Sequence, residues 1–194
     1  MTSGFGGRRV VIGAVVSTGV LLACGMLAGG LLAQGDKPRD RSTERATLVN
    51  EAGRELGRIE FDQDGGRGAT KVSVEARGLP PGFHGFHVHA VAKCEAPGFT
   101  SAGPHLNPAG APHPGHAGDM PVLLVGRKGT ATARFTTDRL SLRHLRDPDG
   151  SAAIVHALPD NHANIPTDRY EPDPDAATLD TGDSGGRIAC AAIW

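Results

Sequence analysis

The stretch ATKVSVEA, residues 69–76, sets Val72 and Val74 against Lys71, Ser73 and Glu75. Side chains along a strand alternate between two faces, so this run offers an apolar side to a core and a polar side to water. Turn chemistry brackets it, with DQDGGRG at 62–68 before and GLPPG at 78–82 after. Gly, Asp and Pro at such places reverse the chain. The same alternation recurs outward. ATLVN (46–50) and ELGRIEF (55–61) precede it. FHGFHVHAV (83–91), PVLLV (121–125), TATARFT (130–136), AAIVHA (152–157) and RIACAAIW (187–194) follow, with a tight GRKG turn at 126–129. These make about eight strand candidates, and no segment carries a long helical period. Short alternating runs joined by turns predict an all-β antiparallel sandwich or barrel.

A chain of 194 residues accommodates one such domain and a short appendage. The formal net charge of −1 provides no basic face for nucleic acid or an anionic membrane. The appendage is N-terminal. Arg8 and Arg9 precede an uncharged run from Val10 to Ala33, the pattern of an export signal. The run is also long enough for an uncleaved membrane anchor. Cys24 closes LLAC (21–24), which is similar to a lipoprotein cleavage box and makes Cys24 a candidate for lipidation. Residues 1–33 are therefore read as a signal peptide or a membrane or lipid anchor, 34–45 as a polar linker, and 46–194 as the folded domain. Each alternative exports the domain to the periplasm, cell envelope or medium, with the membrane touched only through the N-terminal segment. Cys94 and Cys190 then remain as one pair in an oxidising compartment. A bond between them closes a loop that, in the chain-entropy model, stabilises by about 4–5 kcal/mol.

Two segments break the alternation: Lys93–Met120, rich in Gly, Pro and His, and Leu158–Gly186, rich in Asp and Pro. Loops this long inside a compact domain carry function or are disordered. The histidines favour function. His87 and His89 alternate on a strand run, so both rings fall on one side, a stiff two-nitrogen chelate. His105 follows, then His113, His116 and Asp119 at steps of three, and His156 ends a later strand run. Imidazole suits copper and zinc, and three nitrogens with one carboxylate suit a closed zinc site. His84 is expected to make a structural hydrogen bond, His144 to be solvated, and His162 has no assigned role.

In order along the chain, GFHGFHVH (82–89), TSAGPHLNP (100–108), HAGD (116–119), IVHA (154–157) with Asp160 beyond it, and GGRIAC (185–190) resemble the copper–zinc superoxide dismutases, of the exported bacterial type. The resemblance runs from Ala46 to about Ile193. It implies an eight-stranded antiparallel Greek-key sandwich or barrel with two long functional loops. It also implies an enzyme that dismutes superoxide to oxygen and hydrogen peroxide outside the cytoplasm. By position, His87, His89, His105 and His156 resemble the copper ligands, and His105, His113, His116 and Asp119 the zinc ligands. His105 would bridge the two metals and pass a proton. Asp160 would tie His87 to His113, Cys94 would pair with Cys190, and Arg187 would stand beside the open copper position. Both a monomer and a homodimer are compatible with the family.

Two features depart from the commoner members. Only two residues separate His113 from His116, and the Leu158–Gly186 loop carries Asp160, Asp168, Glu171, Asp173, Asp175, Asp180 and Asp183. So many carboxylates, opposed by Arg169 and Arg187, predict weak guidance of an anionic substrate. Two other readings fit the histidines: a copper-delivery protein without turnover, and a structural envelope domain holding zinc alone. The complete set of copper-ligand positions together with Arg187 favours the enzyme.

Overall fold

The computed structural model describes residues 42–63 and 68–194. The 1–33 leader or anchor with Cys24, and residues 34–41 of the linker, lie outside them. Among the described residues there are nine strands: β1 (Thr43–Val49), β2 (Glu55–Asp62), β3 (Thr70–Arg77), β4 (Gly82–His84), β5 (Phe86–His89), β6 (Leu123–Val125), β7 (Thr130–Thr137), β8 (Ser151–His156) and β9 (Arg187–Ile193). Among these same described residues helix is confined to α1 (Leu142–Leu145), α2 (Ala176–Thr181) and a 3-10 turn at Thr100–Ala102. β1 begins at Thr43, so the last three residues read as linker are already strand.

Seven strands form one antiparallel sheet in the order β5-β8-β9-β1-β2-β3-β7, and β4 pairs with β6. The order is of the Greek-key kind. The first strand lies between the second and the last, and β3 pairs with β7 across the β4–β6 excursion. The sheet curls around one core, to which inward residues of every strand except the short β4 contribute. β3 shows why. Thr70, Val72, Val74 and Ala76 are buried while Lys71 and Arg77 are exposed, as the alternation of ATKVSVEA predicts. Phe61, Phe86, Ile59 and Leu48 are fully buried, and each such side chain stabilises by about 1.5–3 kcal/mol.

One of the eight alternating runs holds two strands. FHGFHVHAV breaks at Gly85, between β4 in the small sheet and β5 in the large one. There Gly85 N donates to Leu158 O at 2.8 Å and Gly85 O accepts from His156 N at 2.8 Å.

β8 is buried along its whole length. Ala153 and Val155 face the main core, while Ala152 and Ile154 face a second cluster with Phe99, Ala102 and Cys190. The long loop after β5 therefore packs on the outside of β8 and β9. His144 is not simply solvated. Ser141 N donates to its Nδ1 at 3.3 Å, closing a capping box at the start of α1.

Candidate metal centre

β5 is an edge strand, and the metal loop covers its open edge. Bridges join His87 to Asp119 and His89 to His105. Val88 N donates to Gly118 O, Leu106 N to Val88 O, and Gly118 N to Leu106 O, at 2.8–2.9 Å. Gly118 permits this approach, since a Cβ there would lie 2.1 Å from Val88 O. Phe86 and Val88 fill the core, so the alternation turns His87 and His89 outward, toward this loop.

The expected residues converge. One ligand atom from each of His87, His89, His105 and His156 lies within 4.8 Å of the others, and the same holds for His105, His113, His116 and Asp119. All seven side chains are buried. Hydrogen bonds fix which ring nitrogens face inward. His87 Nε2 donates to Asp160 Oδ2 at 2.8 Å, His89 Nδ1 to Gly103 O at 2.8 Å, and His156 Nδ1 to Gly185 O at 3.1 Å. The remaining nitrogens point at one another, with His89 Nε2 and His156 Nε2 3.4 Å apart. His87 Nδ1 and His105 Nε2 are buried without a hydrogen-bond partner. Leaving buried polar atoms unpaired costs about 1–3 kcal/mol each, so orphans aimed at a common point mark a place for an ion. On the other side, His105 Nδ1 lies 2.9 Å from Asp119 Oδ1. His113 Nδ1 and His116 Nδ1 lie 3.1 and 3.3 Å from Asp119 Oδ2. Nitrogen-rich and nitrogen–carboxylate donor sets of this kind fit copper and zinc respectively.

Asp160 lies between the halves. Its Oδ1 accepts from His113 Nε2 at 3.0 Å while its Oδ2 holds His87. The α2 C-terminus closes over it at Gly182. This residue sits at φ 60°, and a Cβ on it would come within 1.8 Å of Asp160 Oδ1. His162 donates its backbone N–H to the same Oδ1 at 2.7 Å, and its ring is half exposed. Its ring Nδ1 lies 3.6 Å from Asp160 Oδ2, so His162 joins His113 at this carboxylate.

The electrostatics split the two halves. Burial lowers the pKa of His87 and His89, and that of His156 to about 3, with neighbouring imidazoles adding to the effect. Burial also pushes His113 down, but Asp119 and Asp160 outweigh it and raise His113 to about 9. The two aspartates resist burial because of these imidazoles and stay well below the usual carboxylate range.

Arg187 opens β9. Its Nη1 donates to Phe99 O at 2.7 Å and its Nη2 to Gly103 O at 2.8 Å. Gly103 O thus holds both His89 and Arg187. Arg187, His105 and His116 line a cleft of about 550 Å3. Cys94 and Cys190 form a disulfide, with Cα atoms 5.7 Å apart, that anchors the metal loop beside Arg187. His84 is structural, as expected, with Nδ1 2.7 Å from His156 O and Nε2 2.9 Å from Pro80 O. The Gly103 carbonyl and the close approach at Gly182 were not read from the sequence. A carbonyl leaves no signature, and Gly182 stands among many glycines.

Known proteins resemble the chain over most of its length. A model of the copper/zinc superoxide dismutase family matches residues 55–193. The Cu-Zn superoxide dismutase of Mycolicibacterium paratuberculosis is 38% identical over 157 residues, 73% of this chain and 69% of that protein. That of Mycobacterium tuberculosis is 38% identical over 164 residues, 76% and 68% of the two chains. Among solved structures, a SOD-like protein from Bacillus subtilis superposes with a TM-score of 0.64 at 32% identity, covering 77% of this chain and 97% of that one. The clock protein EA4 gives 0.63 at 28%, covering 78% and 93%. With the fold, the paired donor sets and this span of sequence in agreement, the chain belongs to the copper/zinc superoxide dismutase family.

Proposed function

We propose that the two donor sets act as one centre, copper at His87, His89, His105 and His156 and zinc at His105, His113, His116 and Asp119, with His105 shared between them. As a copper/zinc superoxide dismutase the chain is an enzyme of superoxide with copper and zinc as its metals. The observation that supports the shared ligand is His105 itself. Its Nδ1 faces Asp119 at 2.9 Å, while its Nε2, unpaired, belongs to the group with His87, His89 and His156.

The reaction consumes two superoxide anions and two protons and yields oxygen and hydrogen peroxide. Bound copper supplies the one-electron acceptor and donor for its two halves. The chain's own residues do the rest. Arg187 attracts and orients the anion. His105 Nε2 takes a proton and delivers it to the forming peroxide, a task that suits an imidazole. Asp160 holds the rings of His87 and His113 in the ligating orientation. The test is to load the purified protein with both metals, record the copper spin-resonance spectrum and measure superoxide consumption. Copper bound without turnover, or zinc bound alone, would overturn the reading in favour of a delivery or a structural role.

Arg187→Ala should lower kcat/KM for superoxide about tenfold or more, with copper content unchanged and only a small fall in unfolding midpoint from the two lost carbonyl hydrogen bonds. An unaltered rate at low superoxide would refute the role of Arg187. A second expectation concerns pH. With His113 raised to about 9, the metal-free chain carries a proton there at neutrality that zinc must displace. Zinc affinity should therefore climb roughly tenfold per pH unit and level off near pH 9. His87, His89 and His156 have lowered pKa values and are already neutral. In the zinc-free chain, where His105 need not give up its second proton, copper affinity should thus be nearly flat above pH 7, and chelator competition across pH, one metal at a time, compares the two slopes.

We also propose export. Residues 1–33 serve as the signal or anchor, with 34–45 as a linker and Cys24 as the lipidation point if the segment is processed as a lipoprotein. The Cys94–Cys190 disulfide supports an oxidising compartment. Mass spectrometry of the mature N-terminus separates cleavage, lipidation and retention.

A further inference from the structure

We propose that Asp147 and Asp180 form a carboxylate gate in the metal cleft that opposes the capture of anions by Arg187. The proposal takes its substrate from the dismutase reading above. The cleft leads to the centre, since His105, 5% exposed, lines it and its Nε2 has no partner. Apart from the imidazoles, its charged walls are Arg187, Asp147 and Asp180.

The seven acidic residues of the Leu158–Gly186 loop sort by position. Asp160 is buried against His87 and His113. Asp175 caps α2 by accepting from Thr178 N at 3.1 Å. Asp183 accepts from Asn161 Nδ2 and from Thr178 Oγ1. Asp168, Glu171 and Asp173 do not line the cleft, and Asp180 does. Asp147 lines the same cleft from the turn after α1, outside the acidic loop. Both carboxylates are exposed, and Arg187 directs Nη1 and Nη2 to Phe99 O and Gly103 O rather than to either of them. An anion in this cleft is therefore surrounded by two negative charges and one positive charge besides the metal centre. Dissolved salt screens the repulsion together with the attraction.

The test uses the full chain loaded with copper and zinc. Two readouts run from low to physiological ionic strength: the second-order rate with superoxide, and the affinity for azide followed by the copper absorption band. In the wild type both should stay level or rise with salt. In Asp147→Asn/Asp180→Asn both should rise about fourfold at low salt, roughly twofold per carboxylate, and then fall as salt is added. A steep fall with salt in the wild type, or a double variant that behaves like it, overturns the gate. Azide binding with the expected dependence but no superoxide turnover would overturn the dismutase reading and leave the gate standing.

Discussion

Asp160→Ala is expected to strip zinc from the protein and to weaken copper about 10- to 100-fold, the range seen when a carboxylate behind metal-ligating histidines is removed. The side chain of Asp160 is fully buried, and each of its oxygens serves a different half of the centre: Oδ2 holds His87 Nε2 at 2.8 Å, and Oδ1 holds His113 Nε2 at 3.0 Å. Without the carboxylate, two buried ring N–H groups lose their acceptor, at about 1–3 kcal/mol each. Nothing then fixes which nitrogen of either ring faces inward. His113 should suffer more, because Asp160 accepts from its Nε2 and so leaves Nδ1 to face Asp119 and the zinc side. Asp160→Asn makes a sharp control. It keeps the volume, but its one acceptor oxygen can serve only one ring, and its NH2 faces the other donor. Metal content after dialysis, read with the unfolding midpoint in the presence of chelator, checks both variants. Full zinc and copper in Asp160→Ala would mean that the carboxylate only fills space.

The same residue shows how far the sequence could be read. Strand alternation reports which face a side chain takes, and it placed Val72 and Val74 in the core and put His87 beside His89. It does not report which strand a residue faces. That His156 meets His89, with their Nε2 atoms 3.4 Å apart, follows from the pairing of β5 with β8, sixty-odd residues away along the chain, and only the family resemblance brought the two together. Alternation also ran across Gly85 without a break, because Phe83 and Phe86 both look like strand residues. The division between sheets is set by the backbone of Leu158 and His156, which lie elsewhere in the chain. Charge was the least legible property. Seven acidic residues in one loop suggested general repulsion, yet one caps a helix, one is buried in the centre, and the carboxylate that lines the cleft with Asp180 is Asp147, from outside that loop. A carboxylate's influence depends on where it points, and its neighbours in sequence do not say.

Cys94→Ser/Cys190→Ser should cost about 2–5 kcal/mol of stability, and should slow superoxide capture while copper stays bound. The bond closes a loop with a sequence separation of 96, so its absence frees a long segment of the unfolded chain. For a domain of this size, that corresponds to a fall in unfolding midpoint of roughly 5–15 °C. The catalytic part of the expectation comes from what the loop carries. Cys94 lies in the segment whose Phe99 and Ala102 pack on Ile154 and Cys190, and that segment supplies the Phe99 and Gly103 carbonyls that hold the Arg187 guanidinium. Freed from Cys190, those carbonyls lose their fixed distance to Arg187, which starts β9 three residues upstream. The nitrogens of His87, His105 and His156 do not depend on Gly103, so copper keeps three of its four donors, while the His89 ring, whose Nδ1 donates to Gly103 O, loosens with the loop. The double serine variant should therefore resemble Arg187→Ala in its low kcat/KM, and combining the two should add little further loss, because both act through the same guanidinium. Thermal unfolding and superoxide kinetics on the four proteins of this cycle decide it. Fully additive rate losses would show that the disulfide stabilises the fold without positioning Arg187.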